Sequence, residues 1–147
     1  MPFWRLFYHL VWGTKNREPL IDDEREATIR RSLRSSCDKH HAIVHAIGVM
    51  PDHVHLAVST PPIIAIADFM RVLKGSSSHL LNHPGLTPIS LQAFEWQAEY
   101  GVVSFGEASL ERIVSYVENQ RQHHIDHTFI LLFEHMERPY PGPSRLN

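Results

Sequence analysis

Residues 42–59 read AIVHAIGVMPDHVHLAVS, two β-rich runs on either side of Pro51-Asp52. The apolar and β-branched residues over 42–50 and 53–59 predict two strands, and Pro51-Asp52 supplies the turn of a hairpin between them. Side chains alternate along a strand, so His53, His55 and Ala57 share one face while Val54, Leu56 and Val58 share the other. Upstream, residues 4–12 (WRLFYHLVW) predict a strand that ends at residues 13–16. Pro19 and Asp22-Asp23 then open a helix over about 22–39, with Ile29, Leu33 and Cys37 as its apolar stripe. Downstream, Pro61-Pro62 breaks the third strand. Ile66, Phe69, Met70, Leu73, Ser77 and Leu80 predict a second helix to about 81, stopped at residues 82–85 and followed by a loop over 86–93. A fourth strand falls within 94–105, and residues 107–109 open a helix to about 124 with Leu110, Ile113, Val114 and Val117 as its apolar side. From 138 onward the sequence predicts no regular structure.

The order is β-α-β-β-α-β followed by an extra helix. This predicts an α+β fold, the ferredoxin-like split βαβ antiparallel sheet with helices on one face. The other face is expected to be free for a ligand or a partner subunit. No repeat or linker divides the chain, so residues 1–147 are read as one domain.

Composition narrows the function classes. Hydrophobic residues make up 43% and charged residues 20%, which suits a globular core. No run approaches the roughly 18 apolar residues of a membrane span. The first residues lack a signal-peptide pattern, and the lone Cys37 excludes an internal disulfide framework, so a cytoplasmic protein is expected. Net charge is −2, whereas nucleic-acid binding usually recruits excess Lys and Arg. The charge is segregated, however. Lys15, Arg17, Arg30, Arg31, Arg34, Arg71 and Lys74 lie in the first half, and Glu95, Glu99, Glu107, Glu111 and Glu118 lie later.

Two segments carry chemistry. His53 and His55 project from one side of a strand at a spacing that lets both imidazoles reach one ion. With twelve histidines in the chain, one such triplet is expected by chance, so it gains weight only from its context. Tyr116 and Gln120, four apart, stack on one face of the last helix. That face is polar and reads as a solvated side, with the apolar residues turned elsewhere. Two imidazoles, an amide oxygen, phosphate oxygens and water suit Mg²⁺ or Mn²⁺, while imidazole alone favours Zn²⁺ or Mn²⁺. A nearby cation favours the phenolate of a tyrosine and stabilises charge building on a phosphodiester. Gly101 and Gly106 bracket the strand before this helix and raise the idea of a hinge, against the plainer reading of a strand end and turn.

Residues 8–17 (YHLVWGTKNR), 51–56 (PDHVHL), 94–101 (FEWQAEYG) and 116–124 (YVENQRQHH) together resemble the HUH single-tyrosine transposases of small insertion sequences. That family also includes the REP-associated tyrosine transposases. The resemblance runs from about residue 4 to about 135. It implies a ferredoxin-like core acting on single-stranded DNA, with His53, His55 and Gln120 as metal ligands, Tyr116 as nucleophile and Mg²⁺ or Mn²⁺ as cofactor. It implies a 5′-phosphotyrosine intermediate, a free 3′-hydroxyl and DNA hairpins at element ends as partners. It also implies a homodimer in which the tyrosine helix of one subunit serves the histidines of the other, although REP-associated members can act as monomers. Lys15, Arg17, Arg71 and Lys74 are the candidate DNA-binding cations.

Other readings compete. A single-stranded nucleic-acid-binding module would stack bases on Trp4, Tyr8 and Trp12 and would not need Tyr116. A two-histidine phosphoesterase would need a second His-x-Thr/Ser motif, and His127-Thr128-Phe129 does not fit one. A host-adopted DNA-nicking enzyme would share the same residues as a mobile copy.

Overall fold

Asp22 starts the first helix. Its carboxylate accepts the Arg25 backbone N–H at 2.8 Å, and Asp23, Glu24 and Glu26 put negative charge in the first turn. The computed structural model describes residues 2–83 and 93–126 together with Glu134 and Met136; of residues 124–126 it describes the backbone alone. Helix α1 spans Asp23–Lys39, and the predicted stripe of Ile29, Leu33 and Cys37 is fully buried. The strands are β1 (Phe7–Gly13), β2 (Ile43–Met50), β3 (His53–Ser59) and β4 (Gly101–Phe105), and helix α2 covers Ile66–Leu81. The predicted loop over 86–93, except Ala93, and the tail from 138 lie outside the described residues.

The sheet order is β2-β3-β1-β4 with every neighbouring pair antiparallel, the split βαβ topology. β1 begins at Phe7 rather than at residue 4, because the ladders on both its sides end there, against Ser59 of β3 and Phe105 of β4. Val54, Leu56 and Val58 of β3, with Leu10 and Trp12 of β1, pack beneath α1 and α2 against Ile29, Leu33, Phe69, Met70 and Leu73. Burying a leucine such as Leu33 or Leu56 contributes about 1.5–3 kcal/mol.

The opposite face is not open, contrary to the expectation. Helix α3 (Leu110–Glu118) lies across it and buries Ile113, Tyr116 and Val117 against Ala46 and Ala57. The physical reason is that 113, 116, 117 and 120 follow the i, i+3, i+4, i+7 spacing of one helical face. The tyrosine side is therefore the buried side, not the solvated one. Gly48 on β2 makes the close approach possible: a Cβ there would lie 2.2 Å from the Val117 carbonyl oxygen.

The predicted last helix is interrupted. A 3₁₀ turn at Glu107–Ser109 precedes α3, and Asn119 (φ −101°, ψ 27°) separates it from α4 (Gln120–Asp126). The Asn119 carboxamide donates to the Ser115 carbonyl at 2.8 Å, beside its own backbone N–H at 3.1 Å on the same oxygen. At Gly106 the backbone is extended, at φ −83° and ψ 158°, and a Cβ would meet nothing within 4 Å. Nothing there calls for a glycine, in keeping with a plain strand end.

Candidate metal and tyrosine centre

The centre forms where β3, β1 and α3 meet. Strand alternation turns His53 and His55 to the face that α3 covers, and both are buried, at 1% and 0% exposure. Pairing of β1 with β3 sets Val11 opposite His55 and His9 opposite Ala57, so His9 is diagonal to His55 on the same face. The His9 and His55 rings stack with centroids 5.0 Å apart, and His9 Nε2 lies 2.8 Å from His55 Nδ1. Burial first, and the neighbouring His55 second, lower the His9 pKa to about 3.

Tyr116 reaches the same place from α3. Its ring meets His55 edge-on at 6.1 Å and His9 at 6.4 Å, and it stacks on His123 at 4.7 Å. Its hydroxyl donates to Glu134 Oε1 at 2.7 Å. The other Glu134 oxygen lies 3.3 Å from His55 Nε2 and 3.5 Å from His53 Nε2. Burial pushes the Glu134 carboxyl up, but the hydrogen bonds from His55 and Tyr116 and the charges of both histidines outweigh it. The carboxyl is held at about 2.

Asp52, from the hairpin turn, lies 2.6 Å from His53 Nδ1 and accepts from Arg17 Nε at 3.2 Å. Burial raises its carboxyl, while His53 and then Arg17 lower it further, to about 2. Asn16 and Arg17 are consecutive left-handed residues, at φ 57° and 56°, an arrangement that carries backbone strain. It brings the Arg17 guanidinium to 3.4 Å from His53 Nδ1.

His53, His55 and Glu134 each offer a ligand atom, and these atoms lie within 4.8 Å of one another, a set that can hold a metal ion. Gln120 is 2% exposed. Its Nε2 donates to the Tyr116 carbonyl at 2.9 Å, while its Oε1 is buried with no hydrogen-bond partner among the described residues. A buried acceptor left without a donor suits a cation, so the residues present fit one.

The sequence-predicted residues divide into two groups. His53, His55 and Tyr116 come together around Glu134, with Gln120 one turn from the tyrosine and Arg17 behind His53. The other cations stand elsewhere. Lys15 pairs with Glu95 at 2.7 Å and Arg71 with Asp68 at 2.9 Å, both on the surface. Lys74 donates to the Ala98 and Glu99 carbonyls at 3.1 and 3.2 Å. Arg71 and Lys74 line a cavity of about 520 Å³ with Trp96, Gln97 and Tyr100, on the α2 side of the sheet. The aromatic platform does not form: Trp12 is fully buried against Trp96, and Tyr8 packs on the same core.

Sequence reasoning missed Glu134, Asp52, His9 and Gly48 as parts of the centre. Strand alternation was a usable signal for His9. Asp52 was visible beside His53 but read only as a turn residue. Nothing local marks Glu134.

A ferredoxin-like sheet with His-x-His on a central strand and a facing tyrosine helix defines the HUH single-tyrosine transposase class. The chain belongs to the IS200-like transposase family, whose model matches residues 2–120. It is 32% identical over 119 residues to the ISDra2 transposase TnpA of Deinococcus radiodurans, covering 80% of this chain and 85% of that one. It is 26% identical over 141 residues to the transposase for insertion sequence element IS200 of Salmonella typhimurium, covering 95% and 88%. A crystal structure of a protein from Deinococcus radiodurans aligns with a TM-score of 0.60 at 31% identity over 81% of this chain and 93% of that one. A REP-associated tyrosine transposase bound to a REP hairpin shares the fold, with a TM-score of 0.64 at 14% identity over 84% and 74%.

Proposed function

We propose that this transposase cleaves and rejoins single-stranded DNA through a 5′-phosphotyrosine at Tyr116, with a divalent cation held by His53 and His55 and completed by Gln120, Glu134 or both. The observation that carries the reading is the position of the Tyr116 hydroxyl. It is 2.7 Å from a carboxylate whose second oxygen faces both imidazoles at 3.3–3.5 Å. Mg²⁺ or Mn²⁺ fits the mixed nitrogen and oxygen donors, and the bound cation would polarise the scissile phosphate.

The residues of the chain do the rest. Glu134 accepts the hydrogen bond of the phenol and so orients its oxygen, and the phenol proton passes to water as that oxygen attacks phosphorus. The bond from phosphorus to the 3′-oxygen breaks, and that oxygen leaves as a hydroxyl after taking up a proton. The linkage to Tyr116 retains the bond, so a second 3′-hydroxyl can reverse the step onto a new partner strand. Arg17, next to His53, is the cation best placed to meet a phosphate. Lys15, Arg71 and Lys74 belong to a more distant surface, proposed to track the DNA beyond the cleavage point. A DNA hairpin, as held by the REP-associated relative, is the proposed recognition feature. A homodimer is proposed as the working assembly, and light scattering on the purified chain checks it. In the single chain Tyr116 lies beside its own histidines, which supports attack in cis.

The test is incubation with labelled single-stranded DNA from the gene's flanks and Mg²⁺. The expected result is a covalent protein–DNA band that chelation prevents and Tyr116→Phe abolishes. A band that survives Tyr116→Phe would assign the nucleophile elsewhere. DNA affinity without any band would favour a binding module.

A further inference from the structure

We infer that His9 is a positioning residue for the cation: its Nε2 accepts the Nδ1 proton of His55 and so leaves the His55 Nε2 lone pair for the ion. The inference rests on the metal reading proposed above and adds to it the partner that prepares one ligand.

A neutral imidazole carries one proton, and an ion can be bound only by the nitrogen that lacks it. At His53 the choice is made by Asp52. An ionised carboxylate can only accept, so the 2.6 Å contact at Nδ1 keeps the proton there and frees Nε2. Among the described residues it is His9 Nε2, not a carboxylate, that faces His55 Nδ1, at 2.8 Å. Two imidazoles joined this way share one proton, and two arrangements are open to them. If His9 donates, His55 carries its proton on Nε2 and cannot ligate. Without a cation Glu134, 3.3 Å from His55 Nε2, favours that first arrangement; once a cation takes the place of the Nε2 proton, His55 must carry its proton on Nδ1, and His9 Nε2 is the acceptor that receives it.

Both rings are fully buried, so water does not compete for the contact. Their near-parallel stacking, 23° between planes, fixes the relative geometry. The strand pairing that sets His9 diagonal to His55 makes this a feature of the sheet rather than of a mobile side chain. The two ligands thus reach the same tautomer by different means, a carboxylate for His53 and an imidazole for His55.

The test uses the full chain with His9→Phe, which keeps an aromatic volume, His9→Gln, which keeps an acceptor, and His55→Ala as the metal-site control. Mn²⁺ affinity is read by electron paramagnetic resonance and folding by thermal unfolding. His9→Phe is expected to bind Mn²⁺ about 10–100-fold more weakly while folded, and His9→Gln to recover most of that loss. Wild-type affinity in folded His9→Phe, or equal losses in the Phe and Gln variants, would overturn the inference. If His9→Phe does not fold, His9→Leu takes its place beside His9→Gln: weaker Mn²⁺ binding in the Leu variant alone supports the inference, and equal affinities in the two variants overturn it. A wild-type chain that binds no Mn²⁺, or binds it equally with His55→Ala, would instead overturn the metal reading, and this inference with it.

Discussion

The two faces of the sheet are covered by helices in opposite ways. Under α1 and α2 the contacts are apolar: Leu10, Trp12, Val54, Leu56 and Val58 meet Ile29, Leu33, Phe69 and Leu73. Under α3 the apolar contact shrinks to Ala46, Ala57, Ile113 and Val117 around Tyr116, and the remaining buried groups are His9, His53, His55 and Gln120. The first face holds the molecule together. The second keeps imidazoles, a phenol and an amide out of water, where electrostatic interactions are stronger and unpaired groups are costly. Alternation along a single strand, β3, serves both: its even-numbered residues make the core and its odd-numbered ones make the site.

Substitutions on the two faces should therefore separate activity from stability. Tyr116→Phe should reduce covalent DNA attachment to background and cost about 1.5–3 kcal/mol for the lost hydrogen bond to the ionised Glu134. Gel assay and urea unfolding on the same preparation check both halves. A loss above about 4 kcal/mol would make Tyr116 a core residue first and blur the contrast.

Gly48→Ala is expected next. A methyl group 2.2 Å from the Val117 carbonyl must push α3 and α4 off the sheet. Displacement by about 1 Å can cost on the order of 10²-fold in rate, with about 1–3 kcal/mol of overpacking. Cleavage measured where the variant is still folded tests this, and an unchanged rate would mean that the seating of the tyrosine helix is not critical.

On the other face Leu56→Ala should cost about 2–5 kcal/mol and leave cleavage per folded molecule near wild type. Denaturation curves combined with active-site titration would reveal any direct effect on chemistry, which is not expected. The smallest effect concerns Cys37, whose thiol burial pushes up to about 12. With so little thiolate and no exposure, it should resist a thiol reagent at neutral pH until α1 and α2 separate from the sheet. Rapid labelling under native conditions would show that this face opens more readily than the packing implies.

Much of this contrast was legible in the chain. The alternation at 53–59 and the four-residue recurrence of Ile29, Leu33 and Cys37 fix which faces are apolar, and both features stand in the fold. The motif residues His53, His55 and Tyr116 also come together as their types suggested. The buried face of the last helix is not legible from polarity, because Tyr116 and Gln120 read as polar and hence solvated. In fact they complete the spacing of Ile113 and Val117, and a phenol and an amide are readily buried where they find partners. The break at Asn119 depends on a side chain competing for a backbone carbonyl, which periodicity does not reveal. His9 needed the strand order: only when β1 lies beside β3 does its ring meet His55. Glu134 needed the tertiary fold itself, since its carboxylate joins the site from a segment with no motif and no periodic signature.

The account turns on Tyr116 acting as the nucleophile beside a cation held by His53 and His55. Peptide mapping by tandem mass spectrometry of the adduct formed with single-stranded DNA and Mg²⁺ or Mn²⁺ tests this most directly. The account predicts a nucleotide 5′-phosphate on Tyr116, with no adduct from His53→Ala, His55→Ala or chelated protein. A nucleotide on any other side chain, or an adduct formed equally without the metal, would contradict it.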